Sequence, residues 1–184
     1  MIKIRSPKFP LSQHAFTKMF ESIDGHSIPQ DYLFSEDSKT IAAYDSEDKL
    51  LGGFCLVSGN LNDGFANLRT VKQARLFFYG KSSLDNLTEI TGYFIADKKC
   101  GLKLTMRLVL EVLRNPSNSF IYSYAASNKK LESYYKTGNP KRMFSGYIYY
   151  PNDYNIENVE ILSKWGIIKI FLNRTMKLIK RKLK

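Results

Sequence analysis

The sequence predicts a mixed α/β domain, and three observations carry that prediction. A hairpin of two strands joined by a polar turn fills residues 39–58. Residues 87–113 form the pattern of an apolar strand, a short basic turn and an amphipathic helix whose leucines and valines recur every three or four positions. Two more β-rich runs, 120–126 and 144–150, follow this unit. Strands and helices therefore alternate within 184 residues, a length that suits one domain.

Four further elements complete this domain. Residues 1–9 alternate isoleucine with basic residues and predict an edge strand. Residues 10–23 have apolar side chains at helical spacing, and a glycine at position 25 ends that helix. Residues 27–38 are typical of a loop. Residues 127–138 predict a short, capped helix that ends at a glycine.

The end of the chain differs in charge from the rest. Residues 161–184 hold eight basic side chains and no acidic one, although the whole chain has a net charge of +11. Residues 151–158 predict a polar loop, and apolar residues then recur at helical steps. We therefore predict a domain over residues 1–158 and a basic amphipathic helix over residues 159–184. Such a helix packs on its own domain, lies on an anionic membrane or grips an acidic partner.

The turn between the apolar strand and its helix is a candidate anion site. It contains Lys98, Lys99 and Lys103 around one glycine, Gly101. The first N–H groups of a helix lack intrahelical partners, and with the helix dipole they favour a phosphate group. The alternative is a plain crossover between strand and helix, with lysines that only face solvent.

The cysteines and histidines give no metal-ligand spacing, so we expect no metal. We expect Cys55 to lie in the core, and Cys100 to be either an incidental turn residue or a low-pKa thiol at a helix N-terminus. The sequence has neither a signal peptide nor an apolar run long enough to span a membrane. We therefore expect reduced thiols and a cytoplasmic protein.

Residues 60–86 are longer than a tight connection between two strands requires. Long ordered insertions often carry recognition. This segment is a candidate recognition element, or else a structural excursion.

The element order over residues 40–150 resembles that of the GNAT superfamily of N-acyltransferases. In this superfamily a strand leads into a turn of the form [Q/R]-x-x-G-x-[G/A] that cradles the coenzyme A pyrophosphate, and a later helix carries N-x-x-[A/L]-x-x-x-Y. Here the turn runs from Lys98 to Lys103 with Gly101 at its centre, and the helix supplies Asn128, with Tyr135 seven residues later.

The resemblance implies a central, mostly antiparallel twisted sheet of six or seven strands flanked by helices. It also implies that an acyl-coenzyme A, such as acetyl-CoA, is the co-substrate and that the two strands around the site part to admit its pantetheine arm. The residues it assigns to cofactor binding are Phe94, Ile95, Ala96, Lys98, Lys99, Cys100, Gly101, Leu102, Lys103 and Asn128.

The same resemblance names two catalytic candidates. Glu89 stands where a general base takes a proton from the acceptor amine, and Tyr135 where an acid protonates the departing thiolate. The alternatives are a solvent-facing glutamate at a strand end and a core aromatic. Strict alternation along the strand predicts that Glu89 and Tyr93 share one face.

Three functions are compatible with the sequence. The first is acyl transfer from a coenzyme A thioester to a small-molecule or peptide amine, with acyl carrier protein as an alternative donor. The second is nucleic-acid binding through the basic tail, which no recognition motif supports. The third is a non-catalytic protein that touches an anionic membrane through residues 161–184.

Overall fold

The computed structural model describes residues 1–76, 86–150 and 153–182. The strands are β1 (Lys3–Arg5), β2 (Ser38–Tyr44), β3 (Leu50–Ser58), β4 (Leu87–Ile95), β5 (Ser119–Ala125), β6 (Lys141–Tyr150) and β7 (Asp153–Ser163). The helices are α1 (Pro10–Asp24), α2 (Gln30–Leu33), α3 (Arg69–Gln73), α4 (Gly101–Arg114), α5 (Lys129–Tyr135) and α6 (Lys164–Lys182).

The seven strands form one sheet in the order β1-β2-β3-β4-β5-β7-β6. Every neighbouring pair is antiparallel except β4 and β5, which are parallel. Because α4 connects these two parallel strands, the strand–turn–helix unit predicted over residues 87–113 is the crossover of the sheet. The predicted mixed, mostly antiparallel sheet flanked by helices is confirmed.

The helices cover both faces of the sheet. Side chains from α1, α2 and α3, including Phe16, Leu33 and Val71, share one core with the inner face of β3 and β4. On the other face, α4 covers β2 and β3, and side chains of α4, α5 and α6 pack over β5 and β7. The middle of the sheet is therefore buried on both sides.

The first helix and the hairpin pack tightly because of a glycine. Pro10 opens α1, and Gly25, with φ of 80°, ends it in the left-handed conformation, as the sequence predicts. A side chain at Gly53 would lie 2.2 Å from the ring of Phe16, so this glycine admits the Phe16 ring to the sheet surface. The room that the glycine pair of β3 provides is thus filled by the protein itself.

The predicted boundary at residue 158 is wrong in its secondary structure. Residues 153–163 form β7, which lies between β5 and β6, and the helix begins only at Lys164. Val159 and Ile161 reach one core while Leu162 reaches the other, an alternation that only a strand buried on both faces provides. Whether the tail is an independent unit stays a prediction.

The beginning of α6 packs against the 3-10 turn of residues 136–138, which follows α5. The Cβ of a side chain at Gly138 would lie 2.8 Å from the carbonyl oxygen of Gly166, and one at Gly166 would lie 2.6 Å from that of Gly138. The two backbones therefore touch at a pair of glycines. In the described part of the chain, no helix combines the length and the apolar character that crossing a membrane requires.

Candidate active site

The parallel strands β4 and β5 separate in the middle of the sheet. Their register joins Leu87 to Ser119, Thr88 to Phe120 and Glu89 to Ile121, and within the described residues it goes no further. Beyond Ile121, β5 stays paired with β7 alone. The strands thus form a fork that widens toward their carboxyl ends, and its β4 side carries backbone groups without a strand partner. Ligands of α/β sheets commonly bind at the carboxyl ends of such strands.

A bulge at Gly92 changes the faces of β4. Gly92 has φ of 59°, a conformation that favours glycine, and the register with β3 shifts between Gly53 and Cys55. As a result Phe94 packs in the core under α1, whereas Tyr93 packs under α4 and its hydroxyl lies 3.2 Å from that of Thr105. The prediction that Glu89 and Tyr93 share a face is wrong, because strict alternation fails at the bulge.

The turn at the mouth of the fork is closed by its own hydrogen bonds. Residues 98–100 form a 3-10 turn that continues into α4. The Asp97 carboxylate accepts from the Lys99 N–H at 2.8 Å, and the Cys100 N–H donates to the Asp97 carbonyl at 3.1 Å. Gly101 is in the right-handed helical conformation, and its N–H donates to the Lys98 carbonyl. Part of the predicted amide cradle is therefore occupied within the turn.

The charges at this turn nevertheless suit a polyanion. Lys98, Lys99 and Lys103 are exposed, and none of them makes an ion pair with any residue that the structure describes. Gly101 is buried, and a Cβ there would lie 3.4 Å from the nearest neighbour, an Ile95 methyl group, so a methyl group fits in ordinary van der Waals contact. The turn fits a diphosphate through lysine charge and the 14-residue helix behind it, more than through amides.

Cys100 is not an activated thiol. Its side chain is buried and donates to the carbonyls of Leu51 at 3.2 Å and Asp97 at 3.1 Å. Burial, reinforced by Asp97, raises the pKa of the Cys100 thiol. The low-pKa interpretation is therefore wrong. Cys55 lies in the core, as expected, and burial raises the pKa of its thiol to about 12.

The other predicted ligand residues lie in three environments. The Phe94 ring is buried against Phe16, with ring centroids 5.1 Å apart. The Ala96 N–H donates to the Leu51 carbonyl at 2.9 Å, and the Asn128 side chain caps α5 by accepting from the Leu131 N–H at 3.1 Å. Ile95 is half-buried and Leu102 is half-exposed. Phe94, Ala96 and Asn128 therefore have structural contacts of their own.

Glu89 is the last β4 residue that pairs with β5, at the point where the fork begins. It is fully buried, so the solvent-facing alternative is wrong. Its Oε2 accepts from the Tyr32 hydroxyl at 3.0 Å and from the Thr70 N–H at 2.9 Å. The Tyr32 hydroxyl in turn accepts from the Arg69 N–H at 2.8 Å. One carboxylate thus ties β4 to α2 and to the start of α3, inside the long connection between β3 and β4.

The second carboxylate oxygen, Oε1 of Glu89, is buried and accepts no hydrogen bond from the described residues. Burial raises the pKa of Glu89, and the Thr70 N–H and the Arg69 charge only partly oppose it. Burial and the nearby Glu89 also raise the pKa of the Tyr32 hydroxyl. A buried carboxyl group with a raised pKa is a candidate for proton exchange at a functional site.

Tyr135 lies on the opposite face of the sheet from Glu89. Its ring packs against Tyr122 and Tyr124 of β5, with ring centroids 4.4 Å and 5.3 Å apart. It is half-buried, at the edge of the core over β5 and β7. The fold therefore places the two catalytic candidates on either side of the fork.

No sequence pattern predicted the buried network next to Tyr135. Glu160 accepts from the Tyr122 hydroxyl at 2.8 Å and from the Tyr124 hydroxyl at 3.0 Å, and Arg142 contacts the same carboxylate at 2.9 Å. Burial and this carboxylate raise the pKa of both tyrosine hydroxyls. Glu160 was not identified from the sequence because it lies on β7, in a stretch where a helix was predicted.

Two further predictions concern the connection 60–86 and metal binding. The connection 60–86 contributes Arg69 and Thr70 to the surroundings of Glu89, but residues 77–85 lie outside the described part of the chain. Among the residues that the structure describes, no three His, Cys, Asp or Glu side chains converge as a metal site requires.

No family model matches the chain, and no curated protein sequence matches it. Solved structures do match. FeeM, an N-acyl amino acid synthase from uncultured soil microbes, superposes with a TM-score of 0.65 at 12% identity over 90% of this chain and 93% of that one. NAA60 from Arabidopsis thaliana, in complex with acetyl-CoA, gives 0.61 at 15% identity over 89% and 98%. The chain adopts the fold of the GNAT N-acyltransferases.

The likeness extends to other members of this fold. The ribosomal-protein-S18-alanine N-acetyltransferase from Escherichia coli matches with a TM-score of 0.57 at 11% identity, over 89% of this chain and 94% of that chain. At such identities the comparison establishes the GNAT fold of this chain.

Proposed function

We propose that this protein is an N-acyltransferase that moves an acyl group from a coenzyme A thioester to an amine. One observation carries the proposal: the β4–β5 fork opens toward a turn with three unpaired lysines, and Glu89 and Tyr135 lie on its two sides. A fork offers an extended ligand the free backbone edge of β4. The lysines and the start of α4 offer its phosphates a positive end.

The residues of the turn divide the work of binding. Lys98, Lys99 and Lys103 would hold the diphosphate, and half-buried Tyr93 and Ile95 would flank the arm along β4. The bound thioester supplies an activated carbonyl carbon. Orientation of this carbon against the amine inside the fork accounts for much of the expected acceleration, because it replaces a bimolecular encounter.

The transfer forms a C–N bond, breaks the C–S bond and moves one proton from nitrogen to sulfur. We assign the acceptance of the amine proton to Oε1 of Glu89, the oxygen without a donor among the described residues, with water as the relay because the group is fully buried. A β4 amide on the edge that faces the fork stabilises the oxyanion. Tyr135, across the fork, donates a proton to the sulfur.

The test is calorimetric titration with coenzyme A and with acetyl-CoA, using Gly101→Glu and Gly101→Ala variants. Gly101 has helical dihedrals and room for a methyl group, so alanine should bind like the parent protein. Glutamate adds a negative charge where the lysines meet the phosphates and should abolish binding. No binding of either ligand to the parent protein, or equal binding by both variants, would overturn the proposal.

A second donor is favoured by one feature of the turn. Asp97 already accepts from the Lys99 N–H, so the cradle is incomplete for a diphosphate, while the three lysines remain as a basic surface. Such a surface suits an acidic acyl carrier protein. Transfer from an acylated carrier protein, in a preparation that does not bind coenzyme A, would select this alternative.

A further inference from the structure

The outer surface of α4 is unusually apolar. Leu102, Met106, Leu110 and Leu113 recur every three or four residues and are 43–50% exposed. The opposite side of the same helix carries the fully buried Leu104 and Val112. The helix is therefore apolar on both sides, although only one side has a core to cover.

Helix α6 continues this surface. It packs beside α4, and Ile167 and Ile170 enter the same core as Val112. Its outward residues are Trp165, Leu172 and Met176, which are 53–75% exposed. Seven exposed apolar side chains on two neighbouring helices exceed the scattered single residues that an ordinary surface shows. We name this outer face of α4 and α6 the apolar platform.

Positive charge accompanies the apolar platform. Lys98, Lys99 and Lys103 lie at the α4 end, and Lys169 is exposed on α6. In the sequence, residues 161–184 contain eight basic residues and no acidic one. Apolar side chains with cations beside them match the two layers of an anionic lipid surface, acyl chains below and headgroups above.

We infer that the apolar platform docks on an anionic lipid bilayer, with α4 and α6 lying in the plane of the interface. The 19 residues of α6 span about 28 Å along that plane. Trp165, at 75% exposed, is the residue type that membrane–water interfaces favour, because its ring is apolar and its N–H remains hydrogen-bonded. Flexible apolar side chains insert into a lipid surface without a matching groove, whereas an acidic protein would need such a groove to bind them.

The protein carries its own probe for the test, because Trp165 is the single tryptophan of the chain. The full-length protein is mixed with vesicles of phosphatidylcholine alone, or of phosphatidylcholine with about one-third phosphatidylglycerol. We expect co-sedimentation and a blue-shifted emission with the anionic vesicles only. Bromine-labelled acyl chains should quench the emission, which separates insertion from adsorption on headgroups. Added salt should weaken the binding.

Matched variants locate the contact. Met106→Ala with Leu110→Ala removes apolar area from α4 without touching the tryptophan, and we expect at least about ten-fold weaker partitioning. Phe9→Ala with Leu11→Ala is the control, because these side chains are 74% and 85% exposed at the start of α1, away from the apolar platform. Circular dichroism confirms that each variant is folded.

Four outcomes would overturn the inference. The first is the absence of binding to anionic vesicles, and the second is equal loss in the α1 control. The third is binding of polyglutamate or an oligonucleotide in place of vesicles, which would assign the charge to an acidic macromolecule. Light scattering that shows a dimer, dissociated by the α4 variant and indifferent to lipid, would likewise assign the platform to a second copy. None of these results depends on acyl transfer.

Discussion

Two buried glutamates on opposite sides of the fork have opposite surroundings. Glu160 has two tyrosine hydroxyls and the Arg142 guanidinium on its carboxylate, so its charge is compensated. Glu89 has one hydroxyl and one backbone N–H on a single oxygen, and the other oxygen has no donor within the described residues. Equal burial therefore produces a structural ion pair on one face and a carboxyl group with a raised pKa on the other.

This comparison separates chemistry from support. A compensated carboxylate fixes the tyrosines that pack against Tyr135. Ionisation of an uncompensated, buried carboxyl group costs folding stability. Proteins commonly retain such a group only at functional sites. The two faces of the fork thus contribute differently to the proposed reaction: α2 and α3 surround the base, and β5, β6 and β7 position the acid.

The largest effect is expected for Glu89→Gln. Glutamine keeps an acceptor for Tyr32 and Thr70 but cannot take a proton, so we expect acyl transfer to fall by about 100-fold, the usual range for a lost general base. The control is Glu111→Gln, a carboxylate on α4 that is also buried and is paired with Lys39 and Arg107. Loss of rate in the control alone, or in both variants equally, would refute the assignment.

The Glu89→Gln variant also has an expected effect on the free energy of unfolding. Glu89 has a raised pKa when folded, so its protonated form is favoured by folding. Stability is therefore greatest below the unfolded pKa of about 4.3 and decreases as pH rises through the folded pKa. Urea unfolding of Glu89→Gln should lack this decrease and match or exceed the parent protein at pH 7. A parent curve without this slope would contradict the raised pKa.

A smaller effect, mainly on stability, is expected for Glu160→Ala. The change removes the acceptor of two buried tyrosine hydroxyls and leaves Arg142 with Glu132, so we expect a loss of about 2–3 kcal/mol in unfolding free energy. Glu132→Gln, at the exposed end of the same network, should change stability much less. If Glu160→Ala leaves stability unchanged but lowers the rate as much as Glu89→Gln does, the division between chemistry and support fails.

The smallest effect concerns a third carboxylate, Asp97, at the mouth of the fork. Asn is as good a helix cap as Asp, so Asp97→Asn keeps the hydrogen bond to the Lys99 N–H and removes only charge. We expect coenzyme A to bind about two to five times more tightly, because one repulsion is relieved. Asp63→Asn, beyond the other end of β3, is the control and should leave calorimetric affinity unchanged. Weaker binding by Asp97→Asn would mean that the carboxylate supports the ligand.

Sequence patterns determined those parts of the protein where local chemistry decides. The hairpin, the first helix, the crossover from strand to α4 and the capped helix at Asn128 lie where turn residues and apolar spacing place them. The lysines of the turn are likewise exposed, because charged side chains at a helix start seldom find a buried partner.

Tertiary structure decided the rest, because the deciding contacts join distant segments. One left-handed glycine in β4 moved Tyr93 to the other face, and no periodic pattern reports a bulge. The apolar residues at the end of β7 recur at helix-like steps. Its position between β5 and β6 nevertheless gives this segment two strand partners, and Glu160 is buried there. The burial of Glu89, which raises its pKa, likewise arises only when Tyr32, 57 residues earlier in the chain, and Thr70, 19 residues earlier, pack against it.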